Sequence, residues 1–125
     1  IRNSIQLLRT SLAAKDWSGA KQQLSEISNL SPLQTENLKP GSASEPERIE
    51  GGKIYSRYCK SCHVRSMPAV TPPIFSLSEM AQTLPEKEFI ARMIVGIHGT
   101  PTISLQNPLS DRDISGMFLY LLGTP

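Results

Sequence analysis

The sequence predicts an all-α fold, and three observations lead to that class. Apolar residues recur at helical spacing in each regular segment, as they do from Phe89 to Ile97, which places them on one face of a helix. Residues that cap helices stand where these segments begin, with Asp16, Thr83 and Ser110 as examples. No segment has the alternation of apolar and polar residues that is typical of a half-buried strand.

Composition limits the chain to one ordinary domain with a short appendage. It has 125 residues, of which 38% are hydrophobic, with only three Phe, three Tyr and one Trp. So lean a core would be stabilised by a buried prosthetic group. The formal net charge of +2 is too small to argue for nucleic acid as a partner. No run of residues approaches the length of a transmembrane helix.

Residues 1–31 are expected to form a helical hairpin. Apolar residues recur at helical spacing on both sides of a break at Lys15 and Asp16. They are Ile1, Ile5, Leu8, Leu12, Trp17, Ala20, Leu24, Ile27 and Leu30. Because two short helices cannot bury both stripes against each other, the hairpin is expected to pack elsewhere. It would pack on the rest of the chain, on a second copy as a homodimer, or on another subunit of a complex.

Residues 32–46 are rich in Pro, Ser and Gly and lack periodicity, so they are expected to be a linker. The second domain then spans residues 47–125. Its first helix should run from about Pro46 into the cysteine-containing stretch. A second should begin near Thr83, and a third should begin at Ser110 and end before Gly123.

The stretch YCKSCHVR, residues 58–65, contains both cysteines of the chain and a histidine directly after the second. Two thiols in this spacing stand about one helical turn apart, so they can add to the two vinyl groups on one edge of a porphyrin. His63 is then carried beneath the iron as its proximal ligand. Cys59 and Cys62 are therefore predicted to attach one haem c covalently, with His63 bound to the iron.

Three other interpretations of this stretch compete. A redox-active dithiol typically follows a strand in a thioredoxin-like unit, whereas a helix is expected here. A zinc site could be built from Cys59, Cys62, His63 and His98. It would require the adjacent Cys62 and His63 to point at one tetrahedral ion, and no second pair with ligand spacing exists. The third interpretation is that the pattern occurs by chance, because it is short.

From about residue 46 to residue 123 the chain resembles the class I cytochromes c. GGKIYSRYCKSCH is similar to the N-terminal helix of that family, in which the face carrying Gly51 and Tyr55 would cross the C-terminal helix. The resemblance implies a class I cytochrome c fold around one haem, with Gly51 allowing the two backbones to approach closely. The contact residues that it implies on the C-terminal helix are Met117, Tyr120 and Leu121.

A second match concerns the orientation of the proximal histidine. TPPIF, residues 71–75, resembles the family's Pro-Pro-Leu segment, in which a proline carbonyl accepts a hydrogen bond from the proximal imidazole. The resemblance implies that Pro72 or Pro73 orients His63 in this way.

The resemblance breaks at the sixth iron ligand. Residues 96–114 match the family's distal segment, commonly Gly-Ile-Pro-Gly-Thr-Pro-Met-Pro, but Thr102 stands in place of the ligand methionine and His98 in place of the first proline. His98 is one candidate, because imidazole binds haem iron well and its loop is flanked by glycine. The methionines are others: Met67, Met80, Met93 and Met117. In the third alternative the site is vacant or holds water, and Thr102 would hydrogen-bond a small bound ligand.

One-electron transfer is the function expected from these features, without enzymatic activity of the chain itself. A six-coordinate haem iron changes oxidation state with little rearrangement. The chain would be a periplasmic carrier, or the haem subunit of an oxidoreductase complex docked through residues 1–31. The alternative is a protein that binds or senses a small ligand at an open sixth site.

The expected partners are redox proteins. Basic residues flank the haem motif and could guide an acidic partner, or they are ordinary solvated charges. They are Lys53, Arg57, Lys60 and Arg65. The resemblance implies the periplasm or an equivalent extracytoplasmic compartment, with a signal peptide or membrane anchor removed from the mature chain.

Overall fold

The computed structural model describes residues 1–71, 73–95 and 107–124, and the chain forms two compact units, Ile1–Gln34 and Thr35–Pro125. The chain is mostly helical. Within the described residues, β structure is limited to one isolated bridge between Met67 and Ile74. The predicted all-α class is therefore confirmed. No helix in this part of the chain is both long and apolar enough to cross a membrane.

The first unit is a helical hairpin of α1 (Arg2–Ala13) and α2 (Trp17–Leu30). Lys15 adopts the left-handed conformation at the turn, with φ of 57°, and Asp16 caps α2 as predicted by accepting a hydrogen bond from the Gly19 N–H at 2.9 Å. Large apolar side chains stay exposed on both helices: Ile1, Ile5, Leu7, Leu12, Trp17, Leu24 and Leu30. As the stripes predicted, the hairpin does not fully bury its own apolar surface.

The second unit contains five α-helices in its described part. They are α3 (Glu45–Ile54), α4 (Lys60–His63), α5 (Leu77–Thr83), α6 (Glu86–Val95) and α7 (Asp111–Leu122). A π-helical turn, Tyr55–Cys59, joins α3 to α4, so that the chain stays helical from residue 45 to residue 63. Ser110 caps α7 in a reciprocal capping box with Asp113, as predicted.

Thr83 does not cap α6, which corrects the predicted helix start. It is the last residue of α5, and its hydroxyl donates a hydrogen bond to the Glu79 carbonyl. No helix was predicted directly before α6, because a helix of 7 residues is too short to show a clear apolar period.

Residues 35–46 also differ from the predicted linker. They form two short 3-10 turns, Glu36–Leu38 and Pro40–Ser42, and both contact α7. Leu38 is buried in the hydrophobic core. The high Pro, Ser and Gly content of the segment gave no sign of this one buried apolar residue. Because Leu38 is part of that core, the segment belongs to the second unit.

Helices α3 and α7 cross with their backbones in contact. A Cβ atom added at Gly51 would lie 2.3 Å from the backbone of Gly116 and Met117, and one added at Gly116 would lie 2.2 Å from the Glu47 carbonyl oxygen. The ring of Tyr120 packs on Gly52. The close approach of the two backbones expected at Gly51 is therefore present. It also requires a glycine at position 116, which the sequence did not indicate.

The core of the second unit surrounds α7. Met117 and Leu121 of this helix have no exposed surface, and neither do Phe89 and Ile90 of α6. The rings of Phe89 and Phe118 lie 4.5 Å apart at 46°, a tilted arrangement that aromatic pairs favour. This core supports one wall of the candidate site.

Candidate cofactor site

The two cysteines lie at the end of the helix that begins with α3. In the π-helical turn before Cys59, the Lys60 N–H bonds to the Tyr55 carbonyl, five residues back. Such turns occur often at functional sites. Cys59 is half-buried and Cys62 is exposed, and both are free thiols. Burial raises the pKa of the Cys59 thiol, and the neighbouring Cys62 adds to this effect.

A largely apolar cavity of about 930 Å³ opens beside this helix, with Cys59, His63 and Pro73 among the residues of its wall. The wall also includes Phe75, Leu77, Met80, Phe89, Met93, Leu109 and Met117. Its size lies in the range of cofactor sites, about 300–1,000 Å³. Cys62 lies on the exposed side of the same helix. A thiol, an imidazole and an apolar cavity thus stand together, while Cys62 is not among the residues of the cavity wall.

The imidazole of His63 is oriented by a backbone carbonyl. Its Nδ1 lies 2.8 Å from the carbonyl oxygen of Phe75. Because a carbonyl only accepts hydrogen bonds, Nδ1 carries a proton, and in the neutral imidazole Nε2 is then the nitrogen with a free lone pair. The resemblance had assigned this role to Pro72 or Pro73. Pro73 contributes to the cavity wall instead, and Pro72 lies outside the described residues.

The loop that supplies this carbonyl is held by the Met67–Ile74 bridge. The Met67 N–H donates to the Ile74 carbonyl at 2.7 Å, and the Ile74 N–H donates back at 3.2 Å. The bridge fixes the residue before Phe75, since it satisfies both backbone polar groups of Ile74. The proline-rich segment is therefore ordered where it meets His63.

His98, one of the sixth-ligand candidates, lies outside the described residues, as does Thr102, which was predicted to hydrogen-bond a small bound ligand. Among the methionines, Met80, Met93 and Met117 contribute to the cavity wall, whereas Met67 belongs to the bridge with Ile74. Met117 and Met93 are buried in the core, as their helical stripes predicted. Met80 is only partly buried, so it is the least enclosed of the three methionines on the cavity wall.

The four basic residues around the motif are all exposed. Lys53 forms an ion pair with Glu50 at 3.0 Å, and the Arg57 guanidinium lies 5.7 Å from the centre of the Tyr58 ring. Lys60 and Arg65 complete the set. On the cavity wall itself, Arg92 pairs with Glu88 at 2.7 Å. The basic residues are accessible to an acidic partner, although Lys53 and Arg57 are also engaged locally.

Within residues 1–71, 73–95 and 107–124, no group of three His, Cys, Asp or Glu side chains is arranged to hold a metal ion. The zinc site considered from the sequence requires His98, which lies outside these ranges. Comparisons of the chain with protein-family models, with curated proteins and with solved structures found no match.

Proposed function

We propose that the second unit is a class I cytochrome c domain that transfers single electrons through one haem c attached to Cys59 and Cys62. The observation that carries this proposal is the apolar cavity beside Cys59, in which the His63 imidazole is already oriented by the Phe75 carbonyl. When bound, the haem supplies a one-electron redox couple. The protein residues hold it, exclude water from one face and fix its proximal ligand.

Each residue has a distinct part in this proposal. Cys59 and Cys62 form thioether bonds, which retain the cofactor even where the pocket is open. His63 binds the iron through Nε2, while the Phe75 carbonyl keeps Nδ1 protonated and the ring in place. Phe75 and Met93, which line the cavity and keep some exposed surface, would provide an apolar contact for the porphyrin face. Electrons pass during transient docking of a redox partner, for which the exposed basic residues provide attraction.

The proposed location is the periplasm or an equivalent extracytoplasmic compartment. The domain acts there as a carrier or as the haem subunit of an oxidoreductase complex. The exposed apolar side chains of the hairpin support docking onto another subunit or a second copy. A second candidate function is the binding or sensing of a small ligand, which is favoured by Thr102 in the position of the family's methionine ligand.

Optical spectra of the haem-loaded protein, oxidised and reduced, with and without carbon monoxide, test this function. We expect a six-coordinate low-spin iron that does not bind carbon monoxide, because an electron carrier keeps both axial ligands in both oxidation states. If His98 is the sixth ligand, His98→Ala produces a high-spin iron that binds carbon monoxide. Met80→Leu is the matched control and should leave the spectrum unchanged.

A high-spin wild-type iron that takes up carbon monoxide at once would contradict the carrier proposal and favour the ligand-binding one. A low-spin wild-type spectrum that His98→Ala leaves unchanged would exclude His98 as the ligand. Loss of the low-spin spectrum in Met80→Leu would then assign the site to that methionine.

A further inference from the structure

The peptide bond between Phe75 and Ser76 is hydrogen-bonded on both sides. Its carbonyl oxygen accepts from His63 Nδ1 at 2.8 Å, and its N–H donates to the Ser66 hydroxyl oxygen at 2.9 Å. Ser66 in turn donates its hydroxyl proton to the carboxylate of Glu79. One hydrogen-bonded chain therefore runs from the proximal imidazole, through a single peptide group and one hydroxyl, to a carboxylate.

The arrangement is a capping box with a hydroxyl inserted into it. Ser76 is the N-cap of α5, and its side chain accepts a hydrogen bond from the Glu79 N–H. In an ordinary capping box, the acidic side chain three residues on accepts directly from the N-cap N–H. In α5, Ser66 stands between the Glu79 carboxylate and the Ser76 N–H.

Two other helices of this unit, α3 and α7, show the ordinary form. At the start of α3, the Ser44 N–H donates directly to Glu47 at 2.7 Å, and at the start of α7 the Ser110 N–H donates directly to Asp113 at 2.8 Å. Capping of α5 therefore does not by itself require Ser66. The inserted hydroxyl instead ties the loop after His63 to the carboxylate of Glu79.

Each link of the chain polarises the next in the same direction. A carboxylate that accepts the Ser66 proton makes the Ser66 oxygen a better acceptor for the Ser76 N–H. The peptide carbonyl on the other side then gains electron density and accepts more strongly from His63 Nδ1. A stronger acceptor at Nδ1 raises the basicity of Nε2, the atom that would bind the iron. Ser76 is only 5% exposed, so water competes little for its N–H.

We propose that Ser66 and Glu79 are positioning residues for the proximal imidazole and stabilise the oxidised state of the bound haem. This inference rests on the proposed haem attachment at Cys59 and Cys62. More electron donation from His63 favours ferric over ferrous iron, so the carboxylate of Glu79 lowers the reduction potential. Because Glu79 is exposed, solvent screens its charge and the effect is modest.

The test is Glu79→Gln in the haem-loaded protein, with Glu47→Gln as the matched control. Both substitutions remove the acidic group of a helix cap, but only Glu79 is connected to His63. We expect Glu79→Gln to raise the ratio of ferrous to ferric protein at a fixed solution potential by about twofold to tenfold, the range that one hydrogen bond of ordinary net strength implies. The His63 Hδ1 resonance of the reduced protein should move upfield, because its acceptor is weaker.

Ser66→Thr retains the hydroxyl and should keep the wild-type potential and Hδ1 resonance. A potential and a resonance in Glu79→Gln that match those of Glu47→Gln would overturn the inference. This result can be distinguished from a failure of the proposed function, because in that case the wild-type protein would carry no covalent haem.

Discussion

Replacement of Gly116 by valine is expected to lower the free energy of unfolding by about 3 kcal/mol, the upper part of the usual cost of overpacking a core. A Cβ atom at this position would lie 2.2 Å from the Glu47 carbonyl oxygen. That oxygen belongs to the backbone of α3, so no side-chain rotation can relieve the clash. The two helices must separate, and the packing around Met117 and Leu121 is then disturbed.

Gly41→Val is the matched control, because a Cβ atom at Gly41 would meet no atom within 4 Å. Denaturant unfolding of the haem-loaded proteins measures both variants under the same conditions. Equal stability of Gly116→Val and Gly41→Val would show that α3 and α7 do not make the backbone contact described above. Covalent attachment should keep the haem on both variants, so a difference in their stability does not arise from loss of haem.

Replacement of His63 by glycine is expected to abolish the low-spin spectrum of the protein. The proposal gives His63 the proximal position on the iron, and glycine leaves that position without a nitrogen. The thioether bonds to Cys59 and Cys62 are independent of the imidazole and should retain the haem. Added imidazole should restore the low-spin spectrum, because it supplies the missing nitrogen from solution. The measurement is an optical titration of the variant with imidazole.

A low-spin spectrum in His63→Gly without added imidazole would contradict ligation by His63. Phe75→Ala is the control variant. It removes a side chain on the cavity wall but keeps the backbone carbonyl that accepts from Nδ1. It should therefore retain the low-spin iron. Its spectrum separates the role of the carbonyl from that of the phenyl ring.

Sequence reasoning predicted those parts of the fold that depend on local pattern. The apolar stripes of α6 and α7 extend over at least two helical turns, so their periods are visible, and the Ser110 cap of α7 follows a local residue preference. Leu38 and the helix α5 were missed, because one buried residue in a short turn and a seven-residue helix have no period to detect. Gly116 was missed for a different reason. A glycine within a helix shows its purpose only when the backbone that approaches it is known.

The candidate site could likewise be predicted from the sequence only in part. The two cysteines and His63 were predicted from their spacing, and the structure places Cys59 and His63 on the wall of one cavity. The resemblance implied Pro72 or Pro73 as the partner of the imidazole, whereas the Phe75 carbonyl lies against Nδ1, because the path of the loop decides which carbonyl faces the ring. The Ser66–Glu79 hydrogen bond spans 13 positions of the chain, and neither residue type signals such a contact.

The central claim is that Cys59 and Cys62 carry one haem covalently, and the mass of the intact protein tests it most directly. The chain should be produced together with the machinery that attaches haem outside the cytoplasm, then unfolded in acid before the measurement, so that only bonded groups remain. The account predicts the mass of the chain plus one haem, and the unmodified mass for the Cys59→Ala/Cys62→Ala double variant. A wild-type chain with the unmodified mass under the same conditions would contradict it.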